Sequence, residues 1–139
     1  RVDLREAEHL FGLAADEADD PLLAAHCLLD LGQVQYEAYR SLRRPTRLDL
    51  AVDVFRDAAQ SAREAEELAG TERRRQECVR ARAQAHHWRG MSYEAATRPR
   101  AARDAYRAAR AEWARLPEDS VVPDRPTPQD TAERLAALE

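Results

Sequence analysis

The chain has 139 residues, enough for one domain of ordinary size, and its 44% apolar and 35% charged residues exclude a disordered polymer. A net charge of −4 argues against global, non-specific affinity for nucleic acid. No apolar run is long enough to span a membrane, no secretory leader is visible, and Cys27 and Cys78 lack C-x-x-C spacing, so a reduced, cytoplasmic protein is expected.

Alanine and leucine supply most of the apolar content and glycine is scarce, which favours helix over strand. Taken in chain order, the punctuation predicts helices over 2–18, 21–42, 46–69, 72–97, 99–116 and 128–138. Asp20-Pro21 reads as an N-cap followed by proline at the first helical position. Thr46 with Asp49 reads as a capping-box-like start to the third helix. Gly70 is placed as its terminator, and Thr71 caps the fourth. Pro99 opens the fifth helix and Pro117 stops it. Thr127-Pro128 opens the last, with Asp130 in its first turn, where a negative charge suits the helix dipole. The proline-rich stretch 117–127 reads as a linker between a helical domain, 1–116, and a capping helix within 128–139.

A repeat runs through these helices. The first carries Leu4, Ala7, Phe11, Ala14 and Ala18. The third carries Leu48, Ala51, Phe55, Ala58 and Ala62, and the fifth Ala102, Tyr106, Ala109 and Trp113. Alternating steps of three and four put each set on one helix face, and small residues flank an aromatic every time. The helices between carry a glycine each, Gly32 and Gly90. Glycine inside a helix costs about 1 kcal/mol relative to alanine and is best tolerated where another element comes close.

Gly90, Tyr93, Ala102, Tyr106 and Ala109 resemble the Gly, Tyr, Ala, aromatic, Ala pattern of the tetratricopeptide repeats. The earlier unit, Gly32 through Ala51, Phe55 and Ala58, is similar to the elongated repeats of bacterial proteins that carry caspase-like (CHAT) peptidase or signalling ATPase domains. Arginine supplies every basic residue in the absence of lysine, which fits a GC-rich bacterial gene. The resemblance covers about residues 4–116. It implies an all-α stack of antiparallel helix hairpins, a short solenoid of about six helices. It also implies a concave face lined by His26, Leu29, Gln33, Tyr36, Glu37 and Arg40 from one helix and Gln84, His87, Met91 and Glu94 from another. That face lacks the lysine and asparagine cluster with which some members clamp a C-terminal carboxylate. The first repeat keeps only its second helix, so the chain reads as a segment of a longer protein.

Other chemistry is thinly represented. Glu6 and His9 form one E-x-x-H, and a di-iron bundle needs two. His86 and His87 are adjacent, so they point to different faces of a helix and do not chelate together. No glycine-rich phosphate loop and no H-E-x-x-H occurs. Residues 72–110 hold eleven arginines against four acids, and residues 1–20 hold seven acids against two arginines. Solvated helix faces with intrahelical pairs explain this, and an anion- or acidic-partner patch is the sharper reading. The run Arg73-Arg74-Arg75, with Arg80 and Arg82, lacks interleaved aromatics for base stacking, so nucleic acid is not an expected partner.

The expectation is a non-enzymatic scaffold, without cofactor or metal, that binds a protein or peptide on the concave face through His26, Gln33, Tyr36, Arg40, Gln84, His87, Met91 and Glu94. The alternative is a regulatory or sensor segment of a larger multidomain enzyme or signalling ATPase. The unpaired first helix, 2–18, is expected to self-associate through Leu4 and Phe11.

Overall fold

The computed structural model describes residues 4–120, 122 and 124–139; the first residues of the expected helix 2–18 and Pro123 of the expected linker lie outside these. Six helices are formed by the described residues, α1 (Leu4–Glu17), α2 (Pro21–Leu42), α3 (Pro45–Glu67), α4 (Glu72–Ala95), α5 (Pro99–Trp113) and α6 (Pro128–Leu138), and there is no strand among them. Short turns link α1 to α5. Each helix packs on the next in sequence, and α2 also touches α4.

Local chemistry sets most of the boundaries. The Asp20 carboxylate accepts from the Leu22 N–H at 3.0 Å, with Pro21 in the first turn of α2. Thr71 Oγ1 accepts from the Arg74 N–H at 3.1 Å and starts α4. Thr127 and Asp130 bond reciprocally, side chain to backbone, in a full capping box on α6. Two expected boundaries are corrected. Helix α3 begins at Pro45, after an Arg44 N-cap that makes no side-chain cap bond, and Thr46 falls inside the first turn. Proline at this position needs no N–H partner and brings its own helical φ, which makes a hydroxyl cap dispensable. Gly70 does not terminate α3 either. The helix ends at a Leu68 C-cap of ordinary right-handed geometry, and no glycine has positive φ. Among the described residues, the left-handed positions belong to Arg43 and Thr97. Around Thr97, the Arg98 N–H returns to the Tyr93 carbonyl at 2.9 Å and the Thr97 N–H to that of Glu94 at 3.0 Å. This pair of bonds is a Schellman closure of α4.

The repeated stripes form the core. Ala51, Phe55, Ala58 and Ala62 of α3 are buried, as are Ala102, Tyr106, Ala109 and Trp113 of α5. Each ring is seated on a glycine of the preceding helix. A Cβ on Gly32 would lie 2.4 Å from Phe55 Cε1, and one on Gly90 would lie 2.7 Å from Tyr106 Cε1. Neither ring has room to retreat, since both are wholly buried. The first stripe departs from this pattern. Only Ala7 of α1 is buried, Leu4 and Phe11 are half-buried, and Ala14 is exposed. No glycine–ring seat forms there, and Gly12 meets nothing within 4 Å. Cys78 is buried, Cys27 is half-buried, and both are free thiols.

The C-terminal segment returns to the body. Val122 packs against Val79, Ala109 and Trp113, and Leu135 of α6 joins Ala102 and Tyr106.

The glycine seats predict opposite outcomes for one substitution. Gly12→Ala should stabilise the protein by roughly 0.5–1 kcal/mol, the helix-propensity gain alone. Gly90→Ala should destabilise it, because the Tyr106 ring must shift within a filled core. Urea denaturation midpoints check this, and equal shifts of one sign would refute the seat. Phe55→Ala should cost about 3–5 kcal/mol.

Candidate partner-binding cleft

Helix α4 presents one face to α2 and α6. Between α4 and α6 lies an open cleft of 550 Å³, lined by His87, Trp88, Met91 and Glu94 on one side and by Arg125, Asp130 and Arg134 among those opposite. The Trp88 ring stacks on Phe55 at 5.9 Å and meets the Tyr36 ring edge-on at 5.6 Å. It thereby links the core to this surface while remaining half-buried.

The expected partner-facing residues divide by accessibility. On α2, His26, Glu37 and Arg40 are exposed, Gln33 is half-buried, and Leu29 and Tyr36 are buried. On α4, Gln84, Met91 and Glu94 are half-buried and His87 is buried. The cleft brings together His87, Met91 and Glu94 with Trp88. Of the α2 residues it takes none.

His87 is committed to the fold. Its Nδ1 lies 2.8 Å from Thr131 Oγ1, which also accepts from Trp113 Nε1 at 3.0 Å. The Thr131 hydroxyl, with one proton and two lone pairs, serves the indole and the imidazole together. Burial keeps the imidazole neutral. Burial pushes the His87 pKa down to about 4, helped by the nearby Arg134 charge. Its neighbour His86 is pushed down to about 3 by burial and then by Arg89 and Arg82. Glu94 also has internal partners. It accepts from the Tyr106 hydroxyl and pairs with Arg134 of α6 at 3.4 Å.

The arginine run is largely neutralised. Arg73 pairs with Glu77 at 3.8 Å, Arg74 with Asp20 at 2.5 Å, and Arg75 with Glu72 at 2.6 Å. Arg82 reaches Glu112 of α5 at 3.0 Å. Glu66 of α3, tied to Arg115 and Arg75, is held below the usual carboxylate range by those guanidinium groups. Glu6 and His9 are both exposed, and among the described residues no group of three or more potential ligands could hold a metal ion. No described helix is long and apolar enough to cross a membrane.

Sequence reasoning missed Trp88 and the whole α6 side of the cleft. Trp88 had a signal, since 84, 88 and 91 share one helical face. A capping role is expected for the last helix, but nothing in the sequence signals that Asp130 and Arg134 line a cleft opposite Trp88. No family model, no curated protein and no solved structure matches the chain.

The buried histidines predict acid lability. The unfolded chain takes up protons near their ordinary value of 6.5, whereas the folded chain refuses them until about 4 for His87 and about 3 for His86. The unfolded state thus binds more protons in that window, and stability falls as pH drops through it. Each histidine should weaken the fold by about 1.4 kcal/mol per pH unit below about pH 6. Asp20 and Glu66, held low by their arginines, add to the loss at lower pH. Urea midpoints between about pH 7.5 and 4.5 test this. The slope should be shallower in His87→Gln, and stability independent of pH down to 5 would contradict the neutral buried pair.

Proposed function

We propose that the chain is a non-enzymatic, cytoplasmic protein-interaction scaffold of the tetratricopeptide kind, which binds a peptide or helix of another protein along the surface of α2 and α4. The observation that carries this reading is the cleft beside α4, with Trp88 and Met91 at its apolar side and charged groups around it. Recognition sites for chains combine an apolar anchor point with a polar rim. The stacking of helices in sequence order, with a glycine–ring seat repeated at α2–α3 and α4–α5, supports the solenoid part of the proposal.

The proposed contact set is His26, Gln33, Tyr36, Arg40, Gln84, His87, Met91 and Glu94. Exposure orders their roles. Arg40, Gln84 and Met91 offer reachable groups, whereas Tyr36 and His87 support the surface from beneath through Trp88 and Thr131. The proposal extends to self-association of helix 2–18 through Leu4 and Phe11, which are half-buried, with Leu10 and Leu13 of the same helix exposed.

Selection of peptides from a displayed random library against the whole chain tests the reading. Enriched peptides should lose affinity by about tenfold or more in the Arg40→Ala, Gln84→Ala, Met91→Ala triple variant, with an unchanged melting temperature. Enrichment of peptides whose binding ignores the triple variant would move the site elsewhere, and failure to enrich any would count against the scaffold itself.

A further inference from the structure

Helices α1 and α5 carry opposite charges on their outward sides, and each leaves its charge unanswered. On α1, Leu4, Glu8, Phe11 and Ala15 form the half-buried stripe turned to α2, where Glu8 accepts from Gln35 Nε2 at 3.5 Å. Stepping two residues along an α-helix turns about 200° around it. Glu6, Leu10, Leu13 and Glu17 therefore form a second stripe on the far side. All four are exposed, Leu10 at 55% and Leu13 at 43%. A lone exposed leucine is ordinary, but two adjacent ones bracketed by glutamates make an apolar centre with a charged rim. Neither glutamate pairs with a described residue.

Helix α5 buries Ala102, Tyr106 and Ala109 and turns an arginine stripe outward. Arg100, Arg107 and Arg110 are exposed and Arg103 is half-buried, against one acid, Asp104, on that side. Arg107 reaches Glu139 at 3.0 Å, whereas Arg100, Arg103 and Arg110 pair with no described residue. The two stripes match in length. Glu6 to Glu17 spans about 16 Å of helix and Arg100 to Arg110 about 15 Å. Laid side by side, they set a guanidinium near each glutamate and lay the methylene stems of the central arginines over the leucines. Within one chain, α2, α3 and α4 stand between α1 and α5 in the packing order.

We propose that α1 of one copy docks on α5 of a second copy through these stripes. The proposal rests on the self-association of helix 2–18 given above, and moves the contact to the outward leucines because Leu4 and Phe11 are turned to α2. The two surfaces differ, so the contact is head-to-tail and copies can add beyond two. The peptide cleft beside α4 takes no part in it.

Light scattering on a dilution series of the 139-residue chain is the first readout. Mass should rise with concentration and fall as salt is raised from about 0.05 to about 0.5 M, since exposed charges are screened. Charge reversal then identifies the surfaces. Glu6→Arg with Glu17→Arg makes both stripes positive, and Arg100→Glu with Arg103→Glu and Arg110→Glu makes both negative. Each variant alone should self-associate at least about tenfold more weakly, with a melting temperature near the parent's. An equimolar mixture of the two should associate again, because each stripe then finds its opposite on the other variant. Leu10→Gln with Leu13→Gln, which touches no core position, should also weaken association at least about tenfold. A monomer at every concentration overturns the self-association reading and this contact together. Association that the reversals or the leucine variant leave unchanged, or that the mixture fails to restore, overturns the α1–α5 contact alone.

Discussion

The fit of one aromatic ring onto one glycine sets the geometry of this protein. Phe55 lies on Gly32 and Tyr106 on Gly90, so close that even a methyl group would not fit between them. Each contact fixes the approach of a helix pair, because ring and backbone meet at a single register. Small neighbours then let the helices stay close. Ala51 and Ala58 flank one ring, Ala102 and Ala109 the other, and all four are fully buried. The helix propensity lost at glycine is about 1 kcal/mol, well below the roughly 3–5 kcal/mol that a buried aromatic contributes. Trp88 extends the arrangement by stacking on Phe55, so the ring that locks α2 to α3 also orients α4.

Helix content and the interlock were legible because both depend on short-range pattern. The small–aromatic–small order at Ala51–Phe55–Ala58 and Ala102–Tyr106–Ala109 marked the core, and Gly32 and Gly90 marked the close approaches. Caps with a side-chain acceptor at Asp20, Thr71 and Thr127 were equally readable. Boundaries set by backbone alone were less so. Thr97 takes the left-handed turn although it is β-branched, and Arg43 does so after α2, while Gly70 has an ordinary conformation. The proposed concave surface shows the same limit. Periodicity put Tyr36 and His87 on one side of their helices, but their burial depends on Trp88 and on α6, which comes back across a proline-rich stretch from far along the chain.

Helix α4 presents two unlike sides. One side faces the cleft, with Met91 accessible and His87 tied to Thr131. The other carries Arg82, His86 and Arg89. Most of its arginines are spent on structure, pairing with Asp20, Glu72, Glu77 and Glu112. Among the described residues, Arg80 and Arg89 are the α4 arginines without an ion pair, and both are half-buried.

A double-mutant cycle on the first seat measures the central claim directly. Stability is determined for the parent, Gly32→Ala, Phe55→Leu and the double variant. If the ring and the glycine are sterically coupled, Gly32→Ala destabilises the parent, and in the Phe55→Leu background its cost shrinks by at least about 1 kcal/mol or reverses, because alanine's helix propensity then prevails. Additive losses within about 0.3–0.5 kcal/mol would mean that the two residues act independently. The packing of α2 on α3 would then need another origin.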